Sequence, residues 1–290
     1  MDLGRIGIWS GPLRRGDPAE IAEAAAELEQ LGFSALWIPG GAGGDVLGDC
    51  RRLLDATTGA VVASGILNVW MHDPAEVAAG HAALTARHPG RLLLGLGVSH
   101  HPAVERSNQV YERPMRKMTD YLDQLDAAPT PVPKEERALA ALGPRMLELA
   151  RDRSAGAHPY LVSPEHTEMA RQVLGRGPLL APEQMVVLET DPTRARAVAR
   201  QHLVRYLALP NYTNNLLRTG FSPDDVSGEG SDRLVDAIVA WGGVEAVAAR
   251  VQAHHDAGAD HVCLQVLLAD PAALAREQWR QLAAGLLGHS

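Results

Sequence analysis

The sequence predicts a (β/α)₈ TIM barrel, on the basis of three observations. Short apolar runs alternate with amphipathic helical patterns along almost all of the 290 residues. Several of these runs are apolar throughout, as strands of a parallel sheet are when helices cover both faces. The length also suits one barrel, because such barrels fill about 250 residues as a single domain. We therefore expect one domain over residues 1–290, with a doubly wound open sheet as the alternative.

Eight strands and most of the intervening helices can be placed on the sequence. Asp17-Pro18, Asp73-Pro74 and Asp191-Pro192 mark helix starts, where aspartate caps the helix and proline takes its first position. Gly32 ends the first helix. The predicted strands are 5–10, 35–38, 61–67, 92–98, 138–142, 156–162, 185–188 and 261–266. Helices are predicted at 18–31, 74–87, 116–125, 144–153, 243–257 and 270–287, and two more begin at Pro164 and Pro192.

One stretch between the seventh and eighth strands does not fit the alternation. Residues Pro210–Gly230 are rich in Asn, Gly, Ser and Pro. These residue types favour turns over regular elements. The stretch therefore predicts an insertion between strands seven and eight of the barrel.

Composition argues against nucleic-acid and membrane functions. The net charge is −8 and only two lysines occur, so a surface that tracks phosphates is not expected. No apolar stretch approaches the roughly 18 to 20 residues that span a bilayer. Met1–Arg5 leads straight into the first strand without the pattern of a signal peptide. We expect a cytoplasmic protein whose partner is a small molecule.

The cysteines and histidines do not form a metal-binding pattern. Cys50 and Cys263 lie far apart, and neither belongs to a CxxC pair. Cys263 stands in an apolar run, which indicates a buried structural thiol. The adjacent pairs His100-His101 and His254-His255 cannot each present both rings to one side. No metal site is predicted.

Candidate functional residues lie at the carboxyl ends of the predicted strands, where barrel enzymes place their active sites. Gly65 interrupts a β-branched strand, and such a glycine marks either a bulge, a close approach by a ligand, or packing against a helix. Asn68 follows at the strand mouth with a donor and an acceptor. It is a candidate ligand contact or a simple turn residue.

The fourth strand ends in small residues followed by histidine. Gly95 and Gly97 lie within the strand and lack the third glycine of a dinucleotide-binding loop, since His100 takes its place. Small side chains there would let a flat ring lie over the barrel mouth. His100, at the strand's carboxyl end, is the best candidate for a proton donor or cofactor contact. A loop histidine satisfied by neighbouring groups is the alternative.

The helix that begins at Pro144 offers a site for a phosphate. Its first turn presents free backbone N–H groups and the positive end of the helix dipole, beside Arg145. Proline at the first helical position is also ordinary capping, which explains Gly143-Pro144 without any ligand.

Four segments resemble the bacterial luciferase-like superfamily, and particularly its branch that uses the deazaflavin coenzyme F420. These segments are 31–37, 63–68, 88–100 and 139–150, in the family's order and spacing. The resemblance covers nearly the whole chain. It implies a hydride transfer between the deazaflavin C5 and a small organic substrate, in a homodimeric enzyme, with the alternative of an FMN-dependent monooxygenase.

The resemblance also implies which residues contact the cofactor. In the family, a non-proline cis peptide lies behind the ring, so Gly65–Ile66 is expected to be cis or bulged. His100 is the expected catalytic residue. The expected cofactor contacts are Gly65, Ile66, Asn68, Gly97, Val98, Ser99, Ala141, Leu142, Gly143, Pro144 and Arg145.

The second strand departs from the family pattern. Relatives often place an acidic residue or histidine at its end, whereas here the chain continues as Gly40–Gly44, with four glycines in five residues. This predicts a mobile loop without a fixed acid or base. Asp45 could move in from the following position.

Two further functions belong to other classes. Gly97–His101 departs from the GxSxG pattern at its last position, but Ser99 with His100 or His101 could form a hydrolase site. A non-catalytic barrel that has lost its cofactor is the other possibility, which only the glycine-rich loop suggests.

Overall fold

The computed structural model describes residues 1–288 as alternating strands and helices. The strands are β1 (Ile6–Trp9), β2 (Ala35–Gly40), β3 (Val61–Asn68), β4 (Leu92–Gly97), β5 (Arg137–Leu139), β6 (Gly156–Ala157), β7 (Leu179–Leu180), β8 (Glu183–Val187), β9 (Val239–Trp241) and β10 (Val262–Val266). The helices are α1 (Pro18–Gln30), α2 (Val46–Ala56), α3 (Pro74–Arg87), α4 (His101–Glu105), α5 (Pro114–Asp126), α6 (Pro144–Arg153), α7 (Pro164–Leu174), α8 (Pro192–Leu207), α9 (Pro210–Arg218), α10 (Asp232–Ile238), α11 (Val244–Asp256) and α12 (Arg276–Leu286).

The strands form one parallel sheet that closes on itself. Its order is β7-β6-β5-β4-β3-β2-β1-β10-β8-β9. The strands β7 and β8 are halves of one segment, 179–187, broken at Pro182. The first half pairs with β6 and the second with β10, so this segment joins the two ends of the sheet. The predicted (β/α)₈ barrel is therefore confirmed and the open sheet is excluded, with β9 added beside β8.

The predicted helix starts are confirmed at atomic detail. The carboxylates of Asp17, Asp73 and Asp191 each accept hydrogen bonds from backbone N–H groups of the first helical turn. These groups have no partner within the helix itself, so the aspartate satisfies them. Proline follows in each case and needs no acceptor. Helix position along the chain is thus set by local sequence.

Four predicted elements differ from the structure. Strands 138–142 and 156–162 are shorter, as β5 and β6. In the second of them, Pro159 has no N–H to pair and Leu161 adopts a left-handed φ of 61°. The last helix begins at Arg276 rather than at residue 270. The predicted insertion is not purely a loop, since its first part is α9.

Two hydrophobic cores lie on the two sides of the barrel wall. One lies between the strands and the outer helices and includes Ile8, Leu36 and Leu94. The other fills the barrel interior and extends to α8, and it includes Trp9 and Trp37. Alternate residues along each strand point to the two cores, as the pleat requires. No helix among residues 1–288 is long and apolar enough to cross a membrane.

Candidate active site

The mouth of the barrel, at the carboxyl ends of its strands, is lined by aromatic rings. Trp9 and Tyr160 have ring centroids 5.5 Å apart, and Tyr160 and Tyr206 lie 5.2 Å apart. Tyr212 continues the series, 5.3 Å from Tyr206 and 5.1 Å from His100. These spacings are those of tilted and edge-to-face aromatic contacts. The rings form a continuous surface that keeps water out of the interior below.

A cavity of about 420 Å³ opens beside these rings, between β1, β10 and α8. Its walls include Trp9 and Pro39 from the barrel and His202 and Tyr206 from α8, with Gln265 at the end of β10. The volume falls in the range of roughly 300 to 1,000 Å³ that is usual for small-molecule sites. We call this space the α8 cavity.

Polar groups in the wall of the α8 cavity and directly behind it are joined by hydrogen bonds. The hydroxyl of Tyr160 lies 2.8 Å from Gln265 Oε1, 3.0 Å from the Tyr206 hydroxyl and 3.2 Å from His202 Nε2. Burial raises the pKa values of both Tyr160 and Tyr206. Both phenols therefore remain neutral hydrogen-bond donors at neutral pH.

His202 is held by the guanidinium of Arg205. Arg205 Nη2 donates to His202 Nδ1 over 2.6 Å. Burial and the positive charge of Arg205 lower the pKa of His202 to about 3. The ring is therefore neutral, and because Nδ1 accepts a hydrogen bond, the proton is on Nε2.

A buried carboxyl lies within the barrel below this network. Burial raises the pKa of Glu183 to about 8, so the group is protonated at neutral pH. Its Oε2 accepts a hydrogen bond of 3.3 Å from the backbone N–H of Leu161, while Oε1 has no partner among residues 1–288. Below it, Trp37 stacks on His158 at 4.4 Å. Cys263 is buried nearby as a free thiol, as the sequence predicts.

The predicted irregularity at Gly65 is present as a bulge. The register between β3 and β4 shifts between Ala63 and Leu67. No peptide bond of residues 1–288 is cis, so the bulged alternative holds. A Cβ on Gly65 would lie 2.4 Å from Trp9 Nε1. The close neighbour that requires glycine here is thus a side chain inside the barrel, and not a packed helix.

The neighbouring candidates Ile66 and Gly97 contact each other. A Cβ on Gly97 would lie 2.6 Å from the Ile66 Cδ1 atom. The small residue therefore makes room for the Ile66 side chain from the adjacent strand. Since Ile66 remains partly exposed, it can still present an apolar surface at the mouth.

Asn68 makes two hydrogen bonds to the backbone around the end of β3. Its Nδ2 donates to the Gly41 carbonyl over 3.1 Å, and its Oδ1 accepts from the Trp70 N–H over 3.0 Å. The side chain is buried and both of its polar atoms are used within the protein, and its contact with a cofactor stays a prediction. The carbonyl of Val98 accepts from Trp70 Nε1 over 2.8 Å, and the following Ser99 has a left-handed φ of 55°.

His100 lies at the mouth as predicted. Its Nδ1 is 3.0 Å from Asn211 Oδ1, and its ring contacts Tyr212. Burial lowers the pKa of His100, partly offset by the hydrogen bond to Asn211. If the amide oxygen accepts, His100 carries its proton on Nδ1 and leaves the Nε2 lone pair free. This neutral ring can take up a proton at neutral pH.

The start of α6 forms a cationic cradle. Gly143 is its N-cap, no side chain caps the helix, and Arg145 is exposed in the first turn. Arg218, at the end of α9, approaches from the other side, where a Cβ on Gly143 would lie 3.7 Å from its Nη1. The adjacent Leu142 carbonyl accepts a 2.9 Å hydrogen bond from His166 Nε2, which fixes the loop. We call this group the α6 cradle; it also includes the predicted Ala141, which is buried, and Pro144.

Helix α9 connects the two parts of the site that sequence reasoning treated separately. Asn211 at its first turn contacts His100, and Arg218 at its last residue lies beside Gly143. The sequence did contain a signal for this helix. Pro210 at the first position and buried Tyr212 and Leu216 four residues apart fit a short amphipathic helix.

The glycine-rich loop after β2 is held by hydrogen bonds from Arg14. Arg14 Nη1 donates to the Pro39 carbonyl over 2.9 Å, and Arg14 also contacts the Gly43 carbonyl. The Arg14 side chain is buried and paired with Asp49, which holds it in place. Asp45 accepts from the Gly48 N–H over 2.8 Å as the cap of α2, so it does not act at the mouth.

No metal centre is found in the part of the chain that the structure describes. Residues 1–288 contain no group of three or more histidine, cysteine, aspartate or glutamate side chains that could hold an ion.

Comparison with known proteins shows the family to which the chain belongs. The sequence model of the luciferase-like monooxygenases matches residues 3–261. The chain therefore belongs to the luciferase-like monooxygenase family, and it is an oxidoreductase of that class. No match was found among curated protein sequences.

Solved structures of the same fold include both deazaflavin enzymes and monooxygenases. An F420-dependent secondary alcohol dehydrogenase, in complex with an F420–acetone adduct, is 14% identical with a TM-score of 0.72 over 98% of this chain and 99% of its own. The F420-dependent tetrahydromethanopterin reductase of Methanopyrus kandleri is 16% identical, with a TM-score of 0.71 over 99% of both chains. An EDTA monooxygenase from Chelativorans sp. is 12% identical, with a TM-score of 0.73 over 100% of this chain and 94% of its own.

Proposed function

We propose that this oxidoreductase uses coenzyme F420 and transfers a hydride between the deazaflavin C5 and a small organic substrate. The observation that carries the proposal is the α6 cradle at the aromatic-lined mouth. Backbone N–H groups and Arg218 offer a site for an anion, and the rings offer a surface for a flat heterocycle. A phosphate-bearing deazaflavin has both features. Two of the similar structures are those of F420-dependent enzymes.

The residues present fit both the phosphate and the ring of a deazaflavin. Gly143 and Arg145 begin a helix that no side chain caps, so their N–H groups can bind phosphate oxygens. At the other end, Trp9 Nε1 is a buried donor without a partner among residues 1–288. A buried unpaired donor is costly, and a polar atom on the edge of a bound ring would satisfy it.

The chain supplies orientation, water exclusion and a proton acceptor, while the bound deazaflavin supplies the hydride carrier. His100 is neutral at neutral pH because burial lowers its pKa. It can therefore accept a proton from a hydroxyl that loses hydride, and return it in the reverse direction. The aromatic rings of Tyr160, Tyr206 and Tyr212 keep water from the reacting atoms.

An FMN-dependent monooxygenase is the second candidate. A type II Baeyer–Villiger monooxygenase from Pseudomonas putida, in complex with FMN, has a TM-score of 0.67 at 13% identity. The α6 cradle would accept the phosphate of either cofactor, so the cradle alone does not distinguish them. The difference matters for the reaction, because a deazaflavin lacks N5 and does not form the oxygen adduct that a monooxygenase needs.

Cofactor titration tests the proposal directly. Purified protein is titrated with F420 and, separately, with FMN, and the change in cofactor fluorescence gives each dissociation constant. We expect F420 to bind at least about tenfold more tightly, a difference of about 1.4 kcal/mol. Tighter binding of FMN would replace the proposal with the monooxygenase, and binding of neither would overturn both.

The cradle has its own test. Arg218→Ala and Arg145→Ala should each weaken cofactor binding and flatten its dependence on salt, because each removes a charge beside the phosphate. Arg176→Ala is the matched control, an exposed arginine in the loop that precedes β7 at the opposite end of the barrel. Equal affinity of all three variants would remove the two arginines from the site.

A further inference from the structure

We propose that Tyr206 is a catalytic residue that donates a hydrogen bond to an oxygen of the substrate in the α8 cavity. The substrate is therefore a small carbonyl or hydroxyl compound whose oxygen is on the reacting carbon. Tyr160, His202 and Gln265 are positioning residues that set the direction of this hydrogen bond. The inference deepens the proposed function and rests on it for the hydride transfer.

The position of Tyr206 is the first argument. The Tyr206 ring lines the α8 cavity and is partly exposed to it, whereas Tyr160, to which it is hydrogen-bonded, is buried and does not reach the cavity wall. Among the phenols of the mouth, Tyr206 is thus placed to meet a bound molecule. Trp9 and Gln265 form the facing wall.

The direction of the network is the second argument. The guanidinium of Arg205 can only donate, so His202 Nδ1 accepts from it. Because His202 is neutral, its one ring proton is on Nε2, which therefore donates towards Tyr160 and Gln265. A hydroxyl has one proton and can donate only one hydrogen bond. The direction of the hydrogen bond at His202 therefore limits the directions at Gln265, Tyr160 and Tyr206.

The amide of Gln265 follows the same logic. Its Nε2 lies 3.4 Å from His202 Nε2, and both nitrogens would be donors. Turning the amide over places its oxygen towards His202 and its NH₂ towards Tyr160, which resolves the conflict. Tyr160 then accepts from Gln265 and donates its own proton to Tyr206, 3.0 Å away.

The hydroxyl proton of Tyr206 is not used within this network. Within residues 1–288, the Tyr206 hydroxyl contacts Tyr160 and has no other hydrogen-bond partner. Its O–H is therefore free to point into the α8 cavity. Burial raises the pKa of Tyr206, so the group keeps its proton and acts as a neutral donor.

Such a donor has a defined use in the proposed reaction. When hydride joins a carbonyl carbon, a C–H bond forms and the π electron pair of the C=O bond moves to oxygen. A donor fixed at that oxygen stabilises the developing negative charge, and the proton that the oxygen then takes is the one that His100 returns in the proposed function. The donor also rejects analogues without the oxygen, because its own proton would stay unpaired.

Binding of 4-nitrophenolate to the cofactor-free protein tests the inference without turnover. Its oxygen carries negative charge and its visible absorption reports hydrogen bonding. We expect wild-type protein to bind it, and Tyr206→Phe to bind it about tenfold or more weakly, as loss of a hydrogen bond to a charged group implies. Tyr111→Phe, outside the network, is the matched control and should bind as wild type. Arg176→Ala, at the opposite end of the barrel, should also bind as wild type, which controls for the loss of a positive charge.

Imidazole ¹⁵N NMR of the wild-type protein provides a second measurement that needs no variant to fold. We expect His202 to carry its proton on Nε2, with Nδ1 unprotonated. A proton on Nδ1, no binding of the probe, or equal binding by Tyr206→Phe would each overturn the inference. Because neither measurement contains F420 or FMN, failure here is distinct from failure of the proposed function, which the cofactor titration reports.

Discussion

The two sides of the barrel mouth are built in different ways. On the β4 and β5 side, His100, Gly143 and Arg145 immediately follow strands or begin a helix, and they are exposed or partly exposed. On the α8 side, Tyr160, His202, Tyr206 and Gln265 come from separate elements, and the bond between Tyr160 and Gln265 spans 105 residues of sequence. The first side can be located from local patterns, whereas the second exists only in the folded chain.

The difference is also electrostatic. The α8 side is desolvated, and burial lowers the pKa of His202 to about 3 and raises that of Glu183 to about 8. On the rim, Arg145 and Arg218 stand in contact with water. Charge on the rim can therefore attract an anion, while neutral donors on the α8 side can direct hydrogen bonds.

Glu183→Gln is expected to have the largest effect and tests the desolvated side. The folded protein holds a proton on Glu183 up to a pH of about 8, whereas the unfolded chain releases it near the ordinary pKa of 4.5. The folded state thus binds more protons, so the free energy of unfolding falls as pH rises through this window. Glutamine removes the dependence. The variant should gain stability over wild type by about 1 kcal/mol per pH unit, on the order of 3 kcal/mol between pH 5 and 8.

Urea unfolding at several pH values measures this difference. Buried histidines such as His158 and His254, whose pKa values are lowered, cause the opposite trend, with stability lost as pH falls below their ordinary value of 6.5. They are common to both proteins and cancel in the difference. Parallel stability curves would show that Glu183 is ionised in the folded state.

His100→Asn tests the rim side at the level of turnover. Asparagine keeps a donor towards the mouth but cannot exchange a proton near neutral pH. With a substrate that the wild-type enzyme converts, we expect retained cofactor binding and turnover reduced about 10²-fold or more. His101→Asn is the matched control, because the neighbouring ring is exposed. Near wild-type turnover of His100→Asn would leave His100 a positioning role only.

Tyr160→Phe tests whether the α8 network also contributes to stability. The buried hydroxyl has partners in Gln265, Tyr206 and His202, which lose a shared hydrogen-bonding group. The free energy of unfolding should fall by about 1 to 2 kcal/mol. Tyr111→Phe, at a partly exposed site, should change it by less than about 0.5 kcal/mol. An equal effect of both substitutions would mean that the hydrogen bonds of Tyr160 make no particular contribution to the free energy of unfolding.

Asn211→Asp is expected to have the smallest effect and connects the two sides through α9. A carboxylate 3.0 Å from His100 Nδ1 favours the protonated ring, so the pKa of His100 should rise. Titration of the ring by NMR measures the shift. A pKa that does not move would show that α9 does not hold Asn211 against His100 in solution.

The irregular parts of the mouth show where sequence reasoning was incomplete. Gly65 indicated a bulge, and the bulge is present, but the sequence could not say that Trp9 is the close neighbour. Asn68 had the right chemistry for a ligand contact, yet both of its polar atoms are used by Gly41 and Trp70. Side-chain chemistry at a strand end suggests a role, and only the neighbours decide between a ligand and the protein.

The sequence by itself determined the barrel and its rim. Helix starts at Asp17, Asp73 and Asp191, and the start of α6 at Gly143, depend on groups within a few residues of one another. Caps, proline positions and apolar periodicity act over that same short range, so the chain records them directly.

Only the tertiary structure decided the α8 side. Closure of the barrel through segment 179–187 brings α8 over the end of β10, and this places His202 beside Gln265 and Tyr206 beside Tyr160. Hydrogen bonds between distant elements and the loss of water around them depend on packing, which no local pattern records. The shifted pKa values of His202 and Glu183 arise from that desolvation, and so does the direction of the hydroxyl network.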